Sequence, residues 1–187
     1  YAHTYSEEEL RYFDVCGEIA LRTIHRYKVP TTQSLLDLGC GEGFFAKVFS
    51  KEGWKTTLVD FSDDGLSRHN PSLLENFIQS DLMTYIENKC EELSVFDVIN
   101  LDNVLEHVID PVGLLSNLKS NIQSDAILRI EVPNDFSSFQ SLLLKLGCTE
   151  ETWVNPPEHL SYFNTTSLKA LLENQGFELV SLQTDFP

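Results

Sequence analysis

The chain has 187 residues, 42% of them apolar, enough for one domain with a full hydrophobic core. Its 29 acidic residues outnumber 13 Lys and Arg for a formal net charge of −16, so neither a nucleic-acid backbone nor an anionic membrane surface is an expected partner. No apolar run reaches bilayer length and no secretory pattern opens the sequence, so a soluble, cytoplasmic protein is expected.

Ser6-Glu7-Glu8-Glu9 is a capping box, and Leu10, Phe13, Ala20, Ile24 and Tyr27 then recur at helical spacing up to Pro30. The spacing predicts an N-terminal helix within residues 1–30. Ser34 to Leu38 is an apolar strand running into Gly39-Cys40-Gly41-Glu42-Gly43, and a helix follows to about Lys51. A strand, a glycine turn and a helix in that order bring backbone close to a ligand and aim free helix N–H groups at it. Phe44 stands where the dinucleotide fingerprint G-x-G-x-x-G/A requires its last small residue, which argues against an NAD-type oxidoreductase.

Trp54 to Asp60 reads as a second strand whose terminal carboxylate lies 17 residues beyond Gly43, where α/β nucleotide folds place an acceptor for ribose hydroxyls. A helix near 63–69, a third strand over Phe77–Leu82 with Asp81 at its end, and a helix near 83–91 come next. The fourth strand starts at Phe96 and leads into the polar cluster Asp102-Asn103-Val104-Leu105-Glu106-His107. Asp110-Pro111 opens a helix whose buried side carries Leu114, Leu115, Leu118 and Ile122. A fifth strand over Ala126–Val132, a helix from about Phe136 to Leu146, a helix capped by Asn164 or Thr165, and a sixth strand over Phe177–Leu182 complete the pattern. Alternation of this kind predicts an α/β fold: a doubly wound, mostly parallel sheet with helices on both faces, in a single domain over 1–187. The candidate polar residues fall at strand carboxyl ends, the edge where such sheets hold ligands.

Cys16, Cys40, Cys90 and Cys148 are far apart and show no C-x-x-C pairing, so no disulfide framework and no metal site is expected. Cys40 reads either as a reactive thiol at a helix N-terminus or as a small residue tolerated in a tight turn.

Asp37-Leu38-Gly39-Cys40-Gly41-Glu42-Gly43 resembles the first motif of the class I S-adenosylmethionine-dependent methyltransferases, acidic-x-G-x-G-x-G. The resemblance implies a Rossmann-like sheet of seven strands, the last antiparallel, of which this chain lacks the seventh. It also implies that Gly39, Cys40, Gly41 and Gly43 pass beneath the methionine part of S-adenosylmethionine, with Asp37 near its amino group. Asp60 would hold the ribose, Phe61 would lie against adenine, and Asp81 with Leu82 would meet the adenine edge. A positively charged sulfonium is favoured by an acidic rim of Asp37, Asp60 and Asp81, although each acid also reads singly as a solvated cap or strand end. Asp102 to His107 matches the family's fourth motif. That places Asn103 among the cofactor residues and makes Glu106-His107 an acid/base candidate.

A second Glu-His pair lies in Asn155-Pro156-Pro157-Glu158-His159-Leu160-Ser161-Tyr162-Phe163, and the string from Glu158 to Phe163 resembles a segment of sugar C-methyltransferases. In those enzymes the Glu and His supply a base, and a Tyr stands two residues before the Glu, where this chain has Pro156. A loop over residues 147–163 is expected to cross the carboxyl edge of the sheet, with His159 facing the cofactor's methyl group, Glu158 orienting it or touching substrate, and His107 bordering the same cavity. Either histidine is a candidate base. Each also reads as an ordered turn or loop anchor. Methyl transfer is an in-line displacement that requires neither metal nor covalent intermediate. The expected reaction converts S-adenosylmethionine to S-adenosylhomocysteine on a small-molecule acceptor, a sugar or sugar nucleotide among the options. The alternative is a cofactor-binding or scaffold domain without turnover.

Overall fold

The computed structural model describes residues 3–150, 154 and 156–184. Its contacts group into two compact units, residues 1–102 with 121–129 and residues 103–120 with 130–187.

In the first unit the capping box forms as read. The Glu9 amide donates to Ser6 Oγ at 3.3 Å and the Ser6 amide to Glu9 Oε2 at 2.8 Å, which starts α1 (Glu7–Tyr27). Helix α1 buries Leu21 and Ile24, and Lys28 closes it with its N–H on the Ile24 carbonyl. Strand β1 (Ser34–Leu38) is buried at every position, as a central parallel strand must be. It pairs in parallel with β2 (Lys55–Asp60) and β4 (Val98–Asp102), and β2 pairs with β3 (Phe77–Gln79). The order β3-β2-β1-β4-β5, with β5 at Ile127–Glu131, reverses direction between β1 and β4. Such a reversal opens a crevice at the strands' carboxyl ends. Helices α2 (Phe44–Lys51), α3 (Asp64–His69) and α4 (Leu82–Asn88) connect these strands, with 3-10 turns at Pro71–Asn76 and Cys90–Val95. Leu35, Leu58, Phe49 and Val98, all fully buried, form the centre of the core with Trp54 and Leu66.

A buried clamp fastens α1 to the foot of this sheet. Asp97, with no exposed side-chain surface, pairs with Lys28 Nζ at 3.1 Å and accepts the amides of Thr31 and Thr32 at 3.2 and 2.8 Å. Burial raises the Asp97 pKa, but the two amides and Lys28 outweigh it and hold the carboxyl well below the usual range.

The second unit holds α5 (Pro111–Asn121, whose last residue belongs to the first unit), α6 (Ser138–Lys145) and α7 (Thr165–Asn174). The Gly113 amide donates to Asp110 Oδ1 at 2.8 Å, so Asp110 caps α5 as its position before Pro111 predicts. Asn164, not Thr165, caps α7.

The expected sixth strand does not form. Residues 177–182 have no regular secondary structure, and the sheet has five strands among the described residues. Alternating apolar residues define a strand only when a ladder partner accepts them. Here the Phe177 N–H turns back onto the Leu172 carbonyl at 3.0 Å, and Lys119 Nζ sits 5.1 Å from its ring, so the segment begins by closing α7. The third strand is also shorter than expected, because Asp81 has become the N-cap of α4. Part of the expected 147–163 loop, at 151–153 and 155, lies outside the described residues.

Candidate active site

The glycine turn is fixed by β2. The Gly39 and Cys40 amides both donate to the Val59 carbonyl, at 2.8 and 3.2 Å, and the Gly41 amide donates to Asp60 Oδ2 at 2.9 Å. Gly43 has φ +74, and a Cβ built there would lie 2.4 Å from Leu66 Cδ1, so both conformation and space demand glycine. Gly41 differs. Its φ is +52 but an added Cβ meets nothing within 4 Å, so open space adjoins the turn beside a buried carboxylate.

Asp37 faces Asn100 directly across the β1–β4 ladder and accepts its Nδ2 at 2.7 Å. Asn100 Oδ1 in turn accepts Arg129 Nη1 at 2.7 Å, and Arg129 also reaches Asp102 Oδ2 at 2.9 Å. The Arg129 guanidinium lies 4.4 Å from the Phe45 ring, which fixes its plane. Burial pushes the Asp37 carboxyl up to about 7, with the charges of Asp102 and Asp60 adding to the rise against the Asn100 bond and Arg129. Sequence reasoning missed Asn100 and Arg129. A lone Arg inside the apolar run Ile127-Leu128-Arg129-Ile130 was the available signal.

Cys40 is buried, and burial together with the Asp37 and Asp60 charges raises its pKa, so the thiol is the inert of its two readings. Phe61 stands 71% exposed directly after Asp60, with its carbonyl held by Gln79 Nε2 at 2.8 Å. Asp81 is exposed and spends Oδ1 on the Thr84 amide at 3.0 Å, and Leu82 follows it as the first residue of α4. The first unit therefore brings Asp37, Gly39, Cys40, Gly41, Gly43 and Asp60 into one hydrogen-bonded neighbourhood, while Asp81 acts as a cap.

In the second unit the two Glu-His pairs meet. Glu106 and His107 lie in a short 3-10 turn, Leu105–His107, and the Glu106 carbonyl accepts the amides of Leu160 and Ser161 at 2.8 and 3.0 Å. His107 Nδ1 lies 2.7 Å from the Glu158 carbonyl, which can only accept, so Nδ1 is the donor there and Nε2 is the nitrogen on the Glu106 side. The His107 and His159 rings meet edge to face at 4.9 Å. Glu106 is 1% exposed, and His159 Nδ1 is buried with no hydrogen-bond partner. Glu158 thus holds His107 through its backbone, and its side chain lies at the surface. Asn103 adopts φ +51 and donates its amide to the Glu131 carbonyl at 2.9 Å.

The profile of the methyltransferase domain family matches residues 9–182. The chain belongs to this family of class I S-adenosylmethionine-dependent methyltransferases. The methyltransferase is 25% identical over 171 residues to a ubiquinone biosynthesis O-methyltransferase of Actinobacillus pleuropneumoniae, a match covering 82% of this chain and 73% of that protein. A ubiquinone biosynthesis O-methyltransferase of Rickettsia canadensis is 23% identical over 154 residues, covering 80% and 64%. Two solved structures share the fold. A methyltransferase from Archaeoglobus fulgidus superposes with a TM-score of 0.68 at 23% identity, covering 92% of this chain and 72% of that one. Magnesium protoporphyrin IX methyltransferase from Synechocystis, with S-adenosylhomocysteine bound, gives 0.64 at 15% identity, covering 97% and 82%. The turn fits the family's cofactor, because Gly41 leaves open the space a side chain would fill and the adjoining donor set is anionic. No helix among the described residues is long and apolar enough to cross a membrane.

Proposed function

We propose that the methyltransferase acts on a small-molecule acceptor carrying an O–H group, with the first unit binding the cofactor and the His107–His159 pair acting on the acceptor. S-adenosylmethionine supplies an electrophilic methyl group on a sulfonium. Asp60 holds the ribose diol with the oxygen capacity left after its bond to Gly41, and Asp37 serves the amino group of the methionine part. Gly39, Cys40, Gly41 and Gly43 form the floor, and Phe61, Asp81 and Leu82 serve the adenine side. On the acceptor side, His107 and His159 face the group that loses its proton, while Glu158 contacts substrate.

One observation carries the acceptor assignment: the His107 and His159 ring centroids lie 4.9 Å apart where the Leu160 and Ser161 amides bond to the Glu106 carbonyl, so the two Glu-His motifs meet. The O-methyltransferase relatives support an oxygen acceptor, and the Glu158–Phe163 string, which resembles carbon methyltransferases of sugars, supports a sugar or sugar nucleotide as the kind of molecule but not the atom methylated. The net charge of −16 argues against nucleic acid.

S-adenosylhomocysteine formation on a panel of phenols, sugars and sugar nucleotides tests the reading. On an accepted substrate, His159→Ala should lower turnover roughly a hundredfold with cofactor affinity nearly intact. Asp60→Ala should show the reverse split, losing roughly 1–3 kcal/mol of cofactor affinity by calorimetry. Turnover confined to a macromolecular acceptor, or equal turnover in His159→Ala, would overturn the assignment.

A further inference from the structure

The second unit gathers one buried carboxylate and two imidazoles. Glu106, His107 and His159 each offer one ligand atom within 4.8 Å of the others. His107 Nε2 stands 3.9 Å from Glu106 Oε1, beyond hydrogen-bond range and a few tenths of an ångström wider than two tetrahedral ligands on bonds of about 2.0–2.2 Å, so a small side-chain movement closes the pair on one ion. The Glu158 carbonyl fixes the tautomer that leaves Nε2 as the ligating nitrogen, which is the outer-shell arrangement metal-bound histidines use.

Two further observations point at the same place. His159 Nδ1 is buried without a hydrogen-bond partner. Asp135, 1% exposed, has no well-aligned hydrogen bond at either carboxylate oxygen among the described residues, although the Phe163 backbone N–H approaches it. Its carboxyl lies within electrostatic reach of the His159 ring. A buried carboxylate at Asp135 is expensive unless positive charge compensates it.

We infer that Glu106, His107 and His159 form a site for a divalent first-row metal ion of the Zn²⁺ class, with Asp135 as a positioning residue that balances its charge. Two imidazole nitrogens and one carboxylate favour such an ion over Mg²⁺ or Ca²⁺, which prefer all-oxygen ligands. Three protein ligands leave positions open for water or an oxygen of the acceptor. The inference rests on the proposed acceptor role of this pair and deepens it. An acceptor hydroxyl on the ion releases its proton to solvent through Lewis acidity rather than to a free imidazole.

The test reads metal, so its failure leaves methyl transfer standing. Zn²⁺ and Co²⁺ are titrated into the metal-stripped full chain, with calorimetry for both ions and visible absorption for Co²⁺. One tight site is expected, with a Co²⁺ spectrum showing nitrogen ligation. His159→Ala and Glu106→Gln should each weaken that site at least tenfold, and Asp135→Asn about tenfold. His25→Ala, at an exposed histidine of the first unit, should leave it unchanged. Circular dichroism establishes folding, and Glu106→Gln, which keeps the side-chain shape, decides the matter if His159→Ala does not fold. Equal affinity in wild type and Glu106→Gln, or a Co²⁺ spectrum like that of the aqueous ion, would overturn the site.

Discussion

Gly41 and Gly43 share a turn and a left-handed backbone, yet glycine serves different ends at each. At Gly43 a methyl group collides with Leu66, so Gly43→Ala should lower stability by about 2–4 kcal/mol in urea denaturation, combining overpacking with the conformational cost. At Gly41 only the conformational part applies, about 1–2 kcal/mol, while the methyl enters space assigned to the cofactor. Calorimetry with S-adenosylhomocysteine should therefore show the larger affinity loss in Gly41→Ala. The reverse ranking in either measurement would contradict these roles.

Asp37 gives a pH signature. Its ordinary value is 3.8 and burial lifts it to about 7, so the folded chain keeps a proton that the unfolded chain gives up. The stabilising contribution is full below 3.8 and is lost as pH rises through about 7. Asp37→Asn keeps an oxygen for Asn100 and has no such loss. Its melting temperature relative to wild type should rise between about pH 4 and pH 7 and level off above that, and a constant difference would contradict the buried placement. Asp37 was legible from the motif, but its pKa was not. That value depends on Asn100 standing opposite in the ladder, and sequence order carries no register for strands 63 positions apart.

At the scale of elements, capping chemistry carried most of what could be read in advance. Ser6, Asp110 and Asn164 mark helix starts through bonds made within three residues, so local sequence contains the cause. The 177–182 segment shows the opposite case, because a strand is decided by a partner far away. The two Glu-His motifs were each legible, but their meeting depends on Leu160 and Ser161 bonding to Glu106, a pairing across more than 50 residues.

The Lys28–Asp97 clamp is likewise nonlocal, and it predicts how α1 is held. Asp97→Ala leaves the Lys28 ammonium, 3% exposed, with only Asp125 at 2.9 Å, and removes the acceptor for the Thr31 and Thr32 amides. The loss should be about 3–5 kcal/mol near neutral pH. Since the Asp97 pKa is depressed, its contribution is present above 3.8 and fades as pH falls through the lower folded value. The gap between variant and wild type should accordingly narrow in acid, as thermal melts would show.

For the whole molecule, a net charge of −16 creates a field that attracts cations. S-adenosylmethionine carries a sulfonium charge that S-adenosylhomocysteine lacks. Raising ionic strength should thus weaken binding of the first more than the second, with a difference that shrinks once the Debye length falls to a few ångströms. Parallel salt dependences would mean that local contacts alone govern recognition.

The hydrogen bonds from Gly39, Cys40 and Gly41 to β2 have a kinetic consequence. Because Val59 and Asp60 hold the turn with bonds internal to the protein, its shape does not await a ligand, and little ordering entropy is lost when one arrives. Association should then look like docking into a rigid socket, a single exponential whose rate rises linearly with ligand concentration, and selectivity among nucleosides is decided at the dissociation step.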